Sequence, residues 1–290
     1  MSDSDFLSVS YNLVGYHMGR SVLEIKIQKA LEQREQSARR RRLPDPNNSP
    51  SSVGSALIDF NSNDYLSLST SRTLRSHLLR QLAEAPDILG SGGSRLLVNG
   101  RAHADLEARL ATFFNSEAAL LFNSGFDANV GFFSAVPQPG DVIVYDEYIH
   151  ASVHDGMRMS RIPLGERLSF EHNSVGDMCS VLLRSLETKP TLKSGECSVF
   201  VAVESLYSMD GTFAPLRSIV DLLDELFPLK NAYLVVDEAH STGIYGRQGR
   251  GRVALLGLEN RVFARLHTFG KALAATGGLF CHDLLYISNN

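Results

Sequence analysis

Two rhythms of apolar and polar positions run along this chain. Between Val22 and Ala38, residues Leu23, Ile27, Ala30 and Leu31 recur at three- and four-residue steps, which predicts a helix with one apolar face. The helix runs into Arg39, Arg40, Arg41 and Arg42. Two readings of that run stay open: a solvated helix end whose cations suit the negative pole of the dipole, or a contact for a substrate carboxylate. Pro44 to Ser55, rich in Pro, Asn, Ser and Gly, reads as a linker. From there on, short apolar runs predict strands at Ala56–Phe60, Ala118–Phe122, Val142–Tyr145, Val199–Val203, Tyr233–Val236 and Val262–Leu266. Helical patterns fall between them near Ala102–Phe114, Asn129–Val136, Ala151–Arg161, Val175–Leu186 and Leu216–Phe227. Alternating strands and helices, with strands apolar on both faces, predict an α/β fold whose parallel sheet is covered on both sides.

Composition narrows the function classes. With 43% hydrophobic and 21% charged residues over 290 positions, the chain has the make-up of a folded globular protein, not a disordered one. A net charge of -4 and a pI near 6.1 leave no broad basic face for nucleic acid. The three cysteines, Cys179, Cys197 and Cys281, are too scattered for a disulfide framework or a C-x-x-C metal site, and no metal is expected. They suit a reducing compartment. No run approaches the ~18 apolar residues of a membrane span. Met1–Arg20 lacks the apolar core of a signal peptide, and Asp3 and Asp5 argue against a mitochondrial transit peptide. A cytoplasmic location is therefore expected, with peroxisomal and mitochondrial ones left open. The chain reaches Asn290 directly after the apolar run Gly278–Cys281 and a short helical start, which fits either a small domain or a shortened sequence.

In a parallel α/β sheet, ligands bind beyond the carboxyl ends of strands, so the segments just after each strand are where chemistry is sought. Asn123-Ser124-Gly125-Phe126 opens a helix after one strand: an anion site, or simply a turn. His150 heads another helix, as a hydrogen-bonding residue or as a flat ring that stacks on a planar ligand. Glu204 to Gly211 places hydroxyls and an Asp-Gly turn at the same edge, and an ordinary loop is the plain alternative. Asp237 ends the apolar run Leu234-Val235-Val236, where a carboxylate is costly unless paired, and His240 lies three residues on. Of six lysines, Lys271 alone sits between a strand end and a small-residue segment. An ammonium among apolar neighbours loses solvation, its pKa falls, and the amine becomes a nucleophile for carbonyls. An anion site (Ser124, Gly125, Thr268), a flat ring (His150), a carboxylate for a protonated ring nitrogen (Asp237) and an amine for an aldehyde (Lys271) together describe pyridoxal 5'-phosphate.

The motifs Gly90-Ser91-Gly92-Gly93-Ser94-Arg95, Phe122-Asn123-Ser124-Gly125-Phe126-Asp127-Ala128-Asn129, Tyr207-Ser208-Met209-Asp210-Gly211, Asp237-Glu238-Ala239-His240-Ser241-Thr242-Gly243 and Thr268-Phe269-Gly270-Lys271 together resemble the α-oxoamine synthases, fold-type I pyridoxal-phosphate enzymes. The resemblance runs from about Arg39 to Cys281. Asn63-Asp64-Tyr65-Leu66 and the Asp-Glu-Ala-His-Ser-Thr-Gly stretch favour the biotin-pathway branch, while the glycine C-acetyltransferase, 5-aminolevulinate synthase and serine palmitoyltransferase branches stay open.

The resemblance implies a mostly parallel seven-stranded sheet flanked by helices, and a C-terminal α+β domain that this sequence does not include. It divides the chain into an N-terminal helix and linker segment (1–60) and a cofactor-binding large domain (61–290). Lys271 is then the amine that bonds the cofactor's aldehyde and moves the substrate's α-proton. Asp237 holds the ring nitrogen protonated, and His150 stacks on the ring and touches substrate. His240 and Ser208 contact the cofactor, while Ser124, Gly125, Phe126 and Thr268 hold its phosphate. Arg40 and Asn63 meet the substrate. The implied reaction condenses an amino acid, alanine in the biotin branch, with a pimeloyl-CoA-like acyl-CoA. CoA and CO2 leave and an α-aminoketone forms, on a homodimer. A truncated, inactive relic that still binds cofactor is the alternative, as is an aminotransferase or aldolase of the same fold. Asp-Glu-Ala-His is also a helicase box, but the chain has no G-x-x-x-x-G-K-[ST] loop to cradle a nucleotide phosphate.

Overall fold

The computed structural model describes residues 21–43, 59–86, 88, 90 and 92–282, and the chain divides into two compact units, Met1–Phe60 and Asn61–Asn290. In the first, helix α1 (Val22–Gln36) begins at a capping box: the Ser21 hydroxyl accepts from the Glu24 N–H, and the Glu24 carboxylate accepts from the Ser21 N–H. Its expected end at Ala38 is cut short because Ala38 adopts a left-handed φ of 53°. No residue of α1 is buried. The expected linker at 44–55, the N-terminal twenty residues, Ser91 and everything after His282 lie outside the described residues. So do Ala56, Leu57 and Ile58 of the first expected strand; its last two residues, Asp59 and Phe60, form no strand.

The second unit is built on one seven-stranded sheet. Its strands are β1 (Ala118–Phe122), β2 (Val142–Asp146), β3 (Arg167–Phe170), β4 (Val199–Glu204), β5 (Ala232–Asp237), β6 (Ala264–Thr268) and β7 (Gly278–His282), in the order β1-β7-β6-β5-β4-β2-β3. All neighbouring pairs are parallel except those of β7, which runs antiparallel to both β1 and β6. Helices α2 (Arg72–Glu84) and α3 (Arg101–Phe114) precede the sheet. Between strands come α4 (Gly125–Ala135), α5 (Ala151–Met159), α6 (Val175–Thr188), α7 (Pro190–Lys193), α8 (Leu216–Leu226) and α9 (Arg252–Leu256).

The central strands explain why the sheet needs cover on both sides. Side chains alternate across a strand, so consecutive apolar residues enter opposite cores. Val142, Val144, Val201, Val203, Leu234 and Val236 join Met178 and Leu182 of α6 and Ile219 and Leu223 of α8 in one buried cluster. Ile143, Phe200, Ala202, Val235, Ala264 and Leu266 join Phe132 and Phe133 of α4 and Val153 and Met157 of α5 in the other. Each such Val, Leu, Ile, Phe or Met side chain contributes about 1.5–3 kcal/mol when fully buried.

Five expected strands and six expected helices have counterparts; β1 has the expected bounds, Ala118–Phe122, and the others have shifted ends. The helical pattern near Asn129–Val136 extends back to Gly125, within the segment expected to open a helix, because the Ser124 side chain caps α4 by accepting from the Asp127 N–H at 3.0 Å. Strand β6 starts at Ala264, not Val262. Strands β3 and β7 and helices α2, α7 and α9 were not anticipated. The four residues of β3, with Arg167 and Ser169 among them, are too few to show a period.

Candidate active site

Parallel strands β4, β5 and β6 end side by side, and their last residues are Glu204, Asp237 and Thr268. Asp237 is 7% exposed and its two oxygens are held apart in role. Its Oδ1 accepts from the Ala239 N–H and its Oδ2 from Asn129 Nδ2, each at 2.9 Å. Asn129, buried on the second turn of α4, also donates to Ser152 Oγ at 3.0 Å. Ser152 in turn reaches His150 Nδ1 at 2.7 Å, and its N–H caps α5 by donating to the same nitrogen. One hydrogen-bonded chain thus fixes the His150 imidazole relative to the Asp237 carboxylate, and Phe126 meets that ring edge-on at 6.0 Å.

A second chain passes through Lys271. Its Nζ lies 2.8 Å from His240 Nε2, and His240 Nδ1 lies 2.9 Å from the Tyr65 hydroxyl. That hydroxyl donates to Asn63 Oδ1 at 2.9 Å, so its single proton is committed. His240 must then donate from Nδ1 and accept at Nε2 from the lysine, which requires a neutral ring. Its electrostatics agree: burial, then the charges of Lys271 and His150, hold the imidazole down at about 4.

Burial also lowers Lys271 from the usual amine range, against the pull of Asp237 and Glu204. His150 is lowered by burial too, with Asp237 raising it and Lys271 lowering it. Lysine, carboxylate and imidazole therefore share one electrostatic field. At the start of α4, a Cβ on Gly125 would lie 3.1 Å from Thr268 Cβ, so glycine lets the helix end approach the β6 hydroxyl. Helix N-termini of this kind favour anions.

The structure brings together Lys271, His240, Asp237, His150 and Asn63, and sets Thr268 against Gly125, which follows the capping Ser124 and precedes Phe126. Ser208 stands exposed on the turn after β4. Arg40 belongs to the first unit, where its Nη1 pairs with Glu35 at 3.2 Å.

Sequence reasoning passed over four further residues. Glu204, 4% exposed, is in register with Asp237, and burial first, then Asp237, pushes its carboxyl up to about 8. An acid ending an apolar run was the signal that singled out Asp237, and it applies equally to Glu204. Asn129 and Ser152 carried no such mark, and Tyr65 is 175 positions from the histidine it meets.

Sheet order and strand-end site together define a fold-type I enzyme scaffold, and the aminotransferase class I and II family profile matches residues 55–286. The chain belongs to that family. Among individual proteins it is 49% identical to 8-amino-7-oxononanoate synthase of Emericella nidulans, over 90% of this chain and 62% of that protein. It is 44% identical to aminoacyl transferase sphA of Byssochlamys spectabilis, over 78% of this chain and 48% of that protein. Of solved structures, serine palmitoyltransferase of Sphingomonas wittichii superposes with a TM-score of 0.70 at 28% identity, covering 91% of this chain and 64% of that one. An SPT variant solved with PLP gives 0.66 at 29% identity, covering 77% and 52%. The chain thus spans about half to three-fifths of the length of these curated relatives. Among the described residues no helix is long and apolar enough to cross a membrane.

Proposed function

We propose that this chain carries the cofactor site of a pyridoxal-phosphate-dependent C-acyltransferase that joins an amino acid to an acyl-CoA. The observation that carries the reading is the partly buried Lys271 amine, lowered in pKa, in the same electrostatic field as the Asp237 carboxylate beyond the ends of β5 and β6. The residues suit the cofactor: an amine for its aldehyde, a buried carboxylate for its ring nitrogen, an imidazole for its ring face, and a helix start beside Thr268 for its phosphate. When bound, the cofactor supplies a ring that withdraws the electron pair released at the substrate's Cα.

This chain's residues do the rest. Lys271 would hold the cofactor by its aldehyde through Nζ and would carry the proton at the substrate's Cα. Asp237, itself fixed by Asn129 and Ala239, keeps a proton on the ring nitrogen. His150, oriented by Ser152, would cover the ring face. His240, neutral and pinned by Tyr65, accepts from Lys271 and stands ready to contact the ring oxygen. Ser124, Gly125, Phe126 and Thr268 take the phosphate, and Ser208 adds a further contact. Asn63 meets the substrate. Overall, acyl-CoA and amino acid give an α-aminoketone, CoA and CO2. The relative in Emericella nidulans favours alanine and a pimeloyl-type thioester, in biotin formation; the SPT structures support serine and a long-chain acyl-CoA as the second reading. A homodimer is the proposed assembly.

Borohydride reduction of protein incubated with pyridoxal phosphate, followed by peptide mass spectrometry, tests the site. A phosphopyridoxyl mass on the Lys271 peptide, absent in Lys271→Ala, is expected; label spread over other lysines or none at all would overturn the reading. Thiol release with alanine or serine and acyl-CoAs of graded length then separates the two substrate readings.

A further inference from the structure

Resting on the pyridoxal-phosphate reading above, we propose that His172 is a positioning residue of this site: it ties the turn that carries Ser208 to the loop that carries His150. His172 lies just after β3, at the edge of the sheet, with its side chain 14% exposed. It touches neither Lys271 nor Asp237, and its partners are the roots of two site loops.

The anchor is Asp146, the fully buried last residue of β2. Its carboxylate accepts from the N–H groups of Tyr148 at 2.9 Å and Asn173 at 2.8 Å, and from His172 Nδ1 at 2.9 Å. A carboxylate only accepts, so a ring proton is on Nδ1; the Asn173 amide nitrogen only donates, so Nε2 is an acceptor. Nε2 then receives the Thr212 hydroxyl at 2.7 Å and Asn173 Nδ2 at 2.9 Å. Both ring nitrogens are thereby used, and the ring is locked in plane.

Its faces are occupied as well. Tyr148, two residues before His150, stacks on the imidazole at 4.5 Å and 19°. Tyr207 meets it edge-on at 4.5 Å and 88°. Below, the His172 N–H donates to Glu147 Oε1 at 3.0 Å. Tyr207 and Thr212 are the two stems of the Ser208 turn, closed by Tyr207 N–H to Thr212 O at 2.9 Å. One imidazole therefore grips both stems of that turn and, on the opposite side, the loop that leads into His150. Backbone bonds close the turn itself, Gly211 N–H to Tyr207 O at 3.0 Å among them, and the imidazole adds side-chain anchorage of both stems to the sheet edge. Preorganisation of this kind is what lets a single hydroxyl contribute to binding.

His172→Ala strips the ring from all these partners and risks the fold, so the test uses Thr212→Val, which keeps the shape and removes one donor. Pyridoxal phosphate affinity is measured from the visible absorbance of bound cofactor in wild type, Thr212→Val, Ser208→Ala and the double variant. The expected result is a roughly tenfold weaker affinity in Thr212→Val, the size of one lost hydrogen bond, and no further loss when Ser208 is already alanine. Thr212→Ser restores wild-type affinity. Unchanged affinity in Thr212→Val, or an equal loss with and without Ser208, overturns the proposal. Failure of the functional reading shows separately: wild type itself then takes up no cofactor on Lys271, and the proposal falls with it.

Discussion

Burial acts on the charged residues of the site in opposite senses. It drives Lys271 and His240 toward their neutral forms and holds a proton on Glu204. For Glu204 the consequence is a pH dependence of stability. The folded carboxyl titrates at about 8 and the unfolded one near 4.5, so between these values the folded state binds more protons than the unfolded state. Stability from this group is complete below pH 4.5 and is lost as pH rises through 8. Thermal melts from pH 5 to 9 are expected to show wild type losing several degrees more than Glu204→Gln, an effect of a few kcal/mol at most; parallel curves would refute it. His240 works the other way. Its depressed value stabilises the fold above its ordinary 6.5, and that contribution disappears as pH falls through about 4. Over that acid window the melting temperature of wild type is expected to fall more steeply than that of His240→Gln. At this scale the sequence was legible where a residue was exceptional in its own neighbourhood: a lysine among small residues, an acid behind valines. It was silent about partners brought in by the chain's return, as with Tyr65 on His240.

Elements place those residues, and two of them meet at a glycine. A Cβ on Gly156 of α5 would lie 2.8 Å from Phe133 Cβ and 3.0 Å from the Asn129 carbonyl oxygen of α4. Gly156→Ala therefore pushes apart the helices that deliver His150 and Asn129. We expect a loss of about 1–3 kcal/mol by denaturant melts and weaker cofactor uptake by absorbance titration. Ser124→Ala removes the cap of α4 and is expected to cost about 1 kcal/mol. The strand–helix alternation was readable because parallel strands buried on two faces are nearly continuous apolar runs. Helix α2 was missed because its apolar residues Leu74, Leu78 and Leu82 are half exposed and set among arginines, so periodicity there carries little contrast.

In the second unit, the sheet separates two cores that share the same strands. Leu234 at the centre of β5 is 2% exposed and belongs to one core, while its neighbour Val235 belongs to the other. Leu234→Ala is expected to cost about 2–5 kcal/mol in urea unfolding, and to shift the midpoints followed by far-ultraviolet dichroism and by tyrosine emission together. The parallel body of the sheet followed from patterning alone. The position of β7 did not, because no local rule says that the last strand inserts between the first and the sixth.

That insertion sets a timetable for biosynthesis. Among the described residues, strand β1 pairs with no strand but β7, whose residues lie about 160 positions downstream. At ribosomal speeds of about 5–20 residues per second, the nascent β1 waits roughly 10–30 s with both of its backbone edges unmated. Over that interval it is a natural client for a chaperone that shields open strands.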